Sequence, residues 1–354
     1  MNKILAPIVT GLLVLGVGYL IFTSASQQLS GPIKLRGAVG SEKEAFFADP
    51  ELQQVLKDKG FSIEIVKAGS RSIATTFDLT GFDFAFPAGS ASASKLKKDR
   101  NVATNYDVFY SPMVIATWKT ISSILIANNV ASNKGKFDEL NLTAFLELFK
   151  AGKRWSDLKN SADYDVSKPV LINTTDVRSS NSAAQYLGLV SYILNNKSIV
   201  SSNAEITTVL ATATALFAKQ GFQESSSAGP FEDYFLIGMG KSPLVFIYES
   251  QFLEKVVQKV LRPEMRLMYP SPTIFTKHIL VPLSANGIKL GELMTTDLNV
   301  QRIAAKYGFR PNNQTSFAAA VQQYALPIKD NIVNVVDAPS FEILESMIMQ
   351  IEKR

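Results

Sequence analysis

The stretch Ile33-Lys34-Leu35-Arg36-Gly37-Ala38-Val39-Gly40-Ser41-Glu42-Lys43-Glu44 reads as a short apolar strand that breaks at Gly40-Ser41 into a helix. Ser41 and Glu44 stand three apart, as a capping box requires. Helical spacing then runs through Phe47, Leu52 and Leu56, with Pro50 as a point where the helix can split, and Lys59-Gly60 closes it. Phe61 to Val66 alternates as a second strand, Gly69-Ser70-Arg71 turns into another helical stretch, and Phe82 to Pro87 makes a third strand ending at Ala88-Gly89-Ser90. Strand, helix, strand, helix, strand in that order predicts a parallel sheet covered by helices.

A second unit follows. Met113 to Trp118 reads as a strand leading away from the first unit, Leu142 to Ala151 as a helix, and Pro169 to Asn173 as a strand. Ser180-Asn181-Ser182 opens a helix over Ala183 to Leu194, another covers Ala204 to Lys219, and Leu244 to Tyr248 is a strand. Arg266 to Pro270 and Ile279 to Leu283 read as extended. Helices are expected near Gly287 to Met294, Val300 to Tyr307, Phe317 to Tyr324 and Pro339 to Ile351, the second of them stopped by Gly308 with Pro311 beyond.

At the other end, Ile4 to Ile33 carries no charge and Ile8 to Phe22 is strongly apolar. Counted from Ile4 to Phe22 the segment is just long enough to span a bilayer, and its apolar heart also suits a signal peptide followed by small residues at Thr23 to Ser26. Lys3 orients the remainder outward in either case. The expectation is an exported chain with residues 1–29 as signal peptide or signal anchor, placed at the cell envelope, on the outer face of the cytoplasmic membrane or in the periplasm.

Composition removes much common chemistry. The 354 residues contain no cysteine and one histidine, so disulfides, thiolate metal sites, thiol catalysis and any mechanism needing two imidazoles are excluded. Apolar residues make up 46% and charged residues 19%, which suits a large core and not a disordered chain. The balance of 36 Lys+Arg against 31 Asp+Glu gives +5, too small and too evenly spread for a nucleic-acid partner. Gly238-Met239-Gly240-Lys241-Ser242 ends like a phosphate loop, but it lacks the first glycine, with Phe235 in its place, and precedes a strand. Ser92-Ala93-Ser94-Lys95 matches the Ser-x-x-Lys of penicillin-recognising enzymes without their other motifs.

Three motifs fall at strand C-termini: Gly40-Ser41-Glu42-Lys43, Ala68-Gly69-Ser70-Arg71 and Phe86-Pro87-Ala88-Gly89. With Ser179-Ser180-Asn181-Ser182 and the stretch ending Ala304-Ala305-Lys306-Tyr307-Gly308-Phe309, the chain resembles the type II periplasmic solute-binding proteins of bacterial ABC importers, of molybdate- or phosphate-receptor kind. The resemblance covers most of the chain from Ile33 to about Pro311 and lies in the pattern, with no single diagnostic motif. It implies a two-lobed α/β fold, each lobe a mainly parallel sheet flanked by helices, preceded by an N-terminal hydrophobic helix. Lobe 1 would comprise 32–117 and 266–354 and lobe 2 118–265, with hinges near Pro112 to Trp118 and Met265 to Pro270.

Ligands of open parallel sheets bind beyond the strand C-termini, where helix N-termini offer unpaired N–H groups that suit anions. Ser41, Ser70, Ser180, Asn181 and Ser182 sit at such positions, Gly89 lies in the third turn, and Arg71 and Arg178 could supply charge. Each serine or asparagine can also be only a helix cap. Glu42 and Glu249 complicate an anion: if both face the cleft, a cationic or zwitterionic ligand is possible, with Glu249 opposing its amine, and otherwise they lie on solvated faces or pair with Lys43 and Arg71. Tyr248 could stack on a ligand or be a core-edge residue. The expected function is a non-enzymatic protein that captures a small polar ligand, an oxyanion favoured, for ABC-type import. It needs no cofactor; its partners are the ligand, an ABC permease or other membrane protein, and the membrane through the N-terminal helix. The alternatives are a membrane-tethered sensor or scaffold of the same fold that binds a protein and, last, a serine-dependent hydrolase.

Overall fold

The structure, a computed structural model, describes residues 31–221, 223–329 and 331–353. The N-terminal segment expected to signal or anchor lies outside the described residues. Strand β1 (Ile33–Val39) pairs in parallel with β2 (Phe61–Lys67) and β3 (Phe84–Phe86). Two helices connect β1 to β2, α1 (Glu44–Ala48) and α2 (Pro50–Asp58). The split falls at Asp49, whose carboxylate accepts from the N–H groups of Glu51 (2.8 Å) and Leu52 (3.1 Å). Pro50 behind it is placed where its missing N–H costs nothing. Helices α3 (Ser70–Thr75) and α4 (Ser90–Asp99) follow β2 and β3.

One long strand, β4 (Tyr106–Trp118), joins the two halves of the molecule. Its first part, to Pro112, pairs with β9 (Phe275–Pro282), which runs antiparallel to β3. From Met113 onward it pairs with β7 (Leu244–Tyr248) and β8 (Met265–Ser271). Helix α5 (Lys119–Ala127) leads to the hairpin of β5 (Ala131–Asn133) and β6 (Asp138–Asn141), and β6 lies parallel to β8. The order is β2-β1-β3-β9-β4-β8-β6-β5, with β7 and the short β10 (Arg310–Pro311) also on β4.

The expectation of mainly parallel sheets is therefore corrected to a mixed sheet. A chain that leaves one lobe along β4 and returns along β8 and β9 must run backwards beside its outgoing strand, so every pairing of β4 is antiparallel. The return crossing falls between Ser271 and Phe275; Met265 to Pro270, expected at a hinge, lies in β8, which pairs within the second half. Pro169 to Asn173 is no strand but makes two isolated bridges, Arg154 with Pro169 and Asn173 with Val245.

Alternation sorts the cores. Phe84 and Phe86 face a cluster with Leu35, Val39, Phe46 and Phe109, while Ala85 between them faces Ala38, Ile73 and Ile279 on the other side of the sheet. The larger core lies around β7, α6 (Leu142–Lys150), α7 (Asn181–Leu194) and α8 (Asn203–Ala218). Helix α7 is buried continuously from Asn181 to Ser191. Short α9 (Ala228–Glu232) precedes β7, and α10 (Glu249–Val257) leaves it. Helices α11 (Ala285–Thr296), α12 (Leu298–Lys306) and α13 (Gln314–Tyr324) follow β9. The last helix, α14 (Phe341–Glu352), carries Leu344, Met347 and Ile348 into the larger core beside α8.

Candidate functional site

The C-terminal ends of β1 and β2 and the start of α7 meet between the two halves. Gly40, Ser41 and Glu42 follow β1, Ala68 to Ser70 follow β2, and opposite them stand Ser180, Asn181, Ser226, Ser227 and Tyr248. They enclose a cavity of about 10 Å³, room for roughly one water. Its two walls touch. Ser41 Oγ lies 2.9 Å from Ser226 Oγ, and the N–H groups of Arg71 and Ser72 donate to the carbonyl of Ser179 at 3.1 and 3.2 Å. Two N-terminal donors of α3, which the sequence offered to a ligand, are thus satisfied across the cleft.

Of the residues singled out in the sequence, Ser41, Glu42, Ser70, Ser180, Asn181 and Tyr248 line this cavity. Asn181 Nδ2 donates to Tyr248 Oη at 3.1 Å, and Ser70 Oγ accepts from Ala88 N–H at 2.9 Å. Ser182 is buried behind the wall, its Oγ 2.8 Å from Thr175 Oγ1 and 3.0 Å from Ser180 Oγ. No side chain caps α7, so its first N–H groups keep the capacity to donate.

The remaining candidates are not brought there. Arg71 is buried beneath α14, its guanidinium paired with Glu345 and 5.9 Å from the Phe341 ring centre. Arg178 reaches outward to Asp176, with Nε 2.9 Å from Oδ1, and is 65% exposed. Glu249 faces away from the cleft: Arg310 donates to it through Nε and Nη2, both at 2.8 Å, and Tyr269 Oη donates as well. Gly89 turns with φ at +92° beside Asn181 but lines a separate groove. Ser92 of the Ser-x-x-Lys match is 1% exposed, and Lys95 is engaged by Asp99 at 2.6 Å; that constellation lacks the free base and reachable hydroxyl that acylation needs.

Beneath the cleft lies a charged floor, where Glu42 takes the pairing with Lys43 that the sequence left open. Glu42 and the wholly buried Lys43 form an ion pair, and His278 Nδ1 stands 3.3 Å from Glu42 Oε1. His278 is caged by the rings of Phe109, Phe309 and Tyr248, and neither ring nitrogen has a hydrogen-bond partner among the described residues. Burial, with the Lys43 charge adding to it, pushes the imidazole down to about 4, so it is neutral at pH 7. Burial alone would raise Glu42, but the Lys43 charge and the His278 contact outweigh it and hold the carboxyl at about 2. Burial, aided by the nearby Glu42 charge, lifts the Tyr248 phenol well above its ordinary value, so it stays protonated. The cavity thus offers hydroxyls, an amide, the N-terminus of α7 and one ionised carboxylate whose charge Lys43 balances. Ser226 and Ser227 were visible in the sequence only as part of a serine-rich turn; nothing in their spacing tied them to Ser41.

Among the described residues no group of three or more His, Cys, Asp or Glu side chains is placed to hold a metal ion. No helix there is long and apolar enough to cross a membrane.

No protein-family model matches the sequence, and no curated protein matches it. Solved structures do match in shape. A periplasmic thiamin-binding protein superposes with a TM-score of 0.63 at 11% identity, over 91% of this chain and 96% of its own. Iron-bound HitA from Pseudomonas aeruginosa gives 0.57 at 11%, over 91% and 99%. The sulfate-binding protein SubI from Mycobacterium tuberculosis gives 0.50 at 12%, over 89% and 96%. Likeness at this identity establishes the fold: the chain has the two-lobed mixed α/β architecture of the type II periplasmic-binding proteins.

Proposed function

We propose that this protein is a solute-binding protein that closes two lobes on a small polar ligand held between Ser41, Glu42 and Ser70 on one side and Ser180, Asn181, Ser226 and Tyr248 on the other. In this reading 32–117 with 266–354 moves against 118–265 about the crossings in β4 and at 271–275, and α14 straddles the joint. The observation that carries it is the meeting of polar groups from both halves at one cavity: the ends of β1 and β2 on one side, the starts of α7 and α9 and the end of β7 on the other. Such groups exchange water for ligand on closure, and that differential contact drives the closed state. Neighbours of the same fold that bind thiamin, iron and sulfate support a receptor role outside the cytoplasmic membrane, delivering to an ABC-type permease, with no catalysis.

Once the walls part to admit it, the ligand that suits these groups best has an acceptor-rich end for the uncapped start of α7 and a donor for Glu42. An oxyanion satisfies the first, and a protonated oxyanion or small amino acid satisfies both. Arg71 and Arg178 are committed to Glu345 and Asp176, which supports recognition by neutral donors. The test is a thermal-shift screen of the full chain against oxyanions, amino acids, polyamines and sugars. A ligand at a hundred times its dissociation constant should stabilise the fold by about 2.7 kcal/mol, and Ser226→Ala or Ser180→Ala should weaken that shift. A well-folded sample that responds to none of these classes refutes the proposal.

One observation favours a second reading, a sensor or scaffold of this fold that presents its surface to a protein partner. The cleft walls already bond to each other through Ser41–Ser226 and through Ser179, and a ligand must displace those bonds. Under this reading the shift screen is silent and the scattering profile does not change with any solute.

A further inference from the structure

Behind the cleft, sharing none of its lining residues, runs a groove of about 640 Å³ between α4 and the segment that leads into α14. That size suits a small organic molecule. We infer that this groove is a second binding site, for a neutral molecule carrying a carbonyl beside an N–H on an aromatic or aliphatic body, as in a secondary amide.

Two unmet hydrogen-bonding needs lie along its walls. Gln185, which lines the groove, is only 6% exposed, and its Oε1 has no partner among the described residues. Its Nε2 donates to Asn181 Oδ1 at 3.4 Å, which fixes the amide with its oxygen as the unmet acceptor. Asn181 Oδ1 in turn lies against Gly89, where an added Cβ would come within 2.2 Å of it. The Gln185 amide therefore stands beside the turn at Gly89 that opens α4. Helix α4 has ten residues and no side-chain cap, so its first N–H groups, at Ser90 and Ala91, are donors with no acceptor of their own. An acceptor is left wanting a donor, and donors are left wanting an acceptor, on the walls of one groove. A secondary amide carries one of each.

The remaining walls set the rest of the ligand. Ile274, Phe275, Pro339 and Phe341 give an apolar surface for its body. The charges nearly cancel, Lys95 and Lys98 against Asp99, Asp337 and Glu342, and Lys95 is held by Asp99. A strongly charged ligand of either sign would meet opposition from its own sign, whereas an uncharged amide meets none. The inference does not depend on what, if anything, the cleft binds.

N-benzylacetamide and benzyl acetate have the same shape and differ in the N–H, so they test the site directly by calorimetry or ligand-observed NMR on the full chain. The amide should bind at least about tenfold tighter than the ester. Gln185→Leu should bring the two to equal affinity. Ser94→Trp, at an exposed position on the groove wall, should abolish binding of both without touching the core. Equal affinity of amide and ester for the unaltered protein overturns the inference, as does binding that survives Ser94→Trp or no binding at millimolar concentration.

Discussion

Gly69 faces the carbonyl of Ser179 so closely that an added Cβ would come within 2.3 Å of that oxygen and 2.9 Å of the carbonyl of Ser225. Gly69 itself has an ordinary extended backbone, φ −61° and ψ 137°, so the position requires glycine for the approach of the two lobes and not for its own conformation. Gly69→Val should act as a wedge: both lobes fold, but they cannot close. Small-angle scattering should give a larger radius of gyration than for the unaltered chain, and a cleft ligand should lose affinity. An unchanged scattering profile with full stability would show that the lobes do not meet through this residue.

The buried floor makes stability depend on pH. With the folded His278 held at about 4 and the unfolded imidazole near 6.5, the unfolded chain binds more protons throughout that interval. Stability therefore falls as pH drops from 6.5 towards 4, by at most about 1.4 kcal/mol per unit from this group. Glu42, at about 2 against 4.5, contributes stability that is complete above 4.5 and is lost as pH falls through 2, so it acts in the same direction in a lower window. Lys43, the partner of Glu42, and Tyr248, which packs on His278, are the other titratable groups facing this pair. Urea unfolding at stepped pH should show the decline, and His278→Gln should flatten it between 6.5 and 4 while leaving the fall below 4.5 in place.

Helix α14 ties to the first lobe through the pair of Arg71 and Glu345, whose side chains are 4% and 26% exposed. Glu345→Gln leaves a guanidinium buried without its counter-charge. A fully buried broken pair costs about 3–5 kcal/mol; the exposure of Glu345 reduces this to about 2 kcal/mol. Arg71→Met combined with Glu345→Gln should recover part of the loss, because no isolated charge remains. Chemical denaturation of the three proteins decides it, and equal stability of all three would mean that the pair holds nothing together.

How much of this was legible in the sequence follows from the range over which each signal acts. The first strand, the split at Pro50, the start of α7 and the strand 244–248 are set by alternation, capping and helix breakers within a few neighbours, and they are where the pattern placed them. The direction of β4 and its change of partner after Pro112 depend on strands more than 120 residues away, which no local period encodes. Ser41 and Ser70 were recognisable because strand ends in such sheets converge, whereas Ser226 and Ser227 sit in a turn with no such signal. The partners of Arg71, Arg178 and Glu249 were not recognisable, since a charged residue after a strand looks the same whether it faces a ligand or an ion pair. Glu345 and Arg310, which remove two of those three from the cleft, lie 274 and 61 positions away.

That last distinction can be measured at Glu249. Its carboxylate is fully buried and Arg310, 17% exposed, grips it from β10 while Tyr269 donates from β8. A residue with this role should govern stability and leave ligand affinity alone, whereas a residue opposing a ligand amine would do the reverse. Glu249→Gln should therefore lower unfolding stability by about 3 kcal/mol or more and leave the dissociation constant of any cleft ligand within about twofold, at a temperature where the variant is folded. Arg310→Met touches nothing in the cleft and should cost a similar amount. Because the two residues share one interaction, the double variant should lose much less than the sum of the single losses. Strict additivity, or a ligand affinity that collapses in Glu249→Gln with stability intact, would return Glu249 to the binding site.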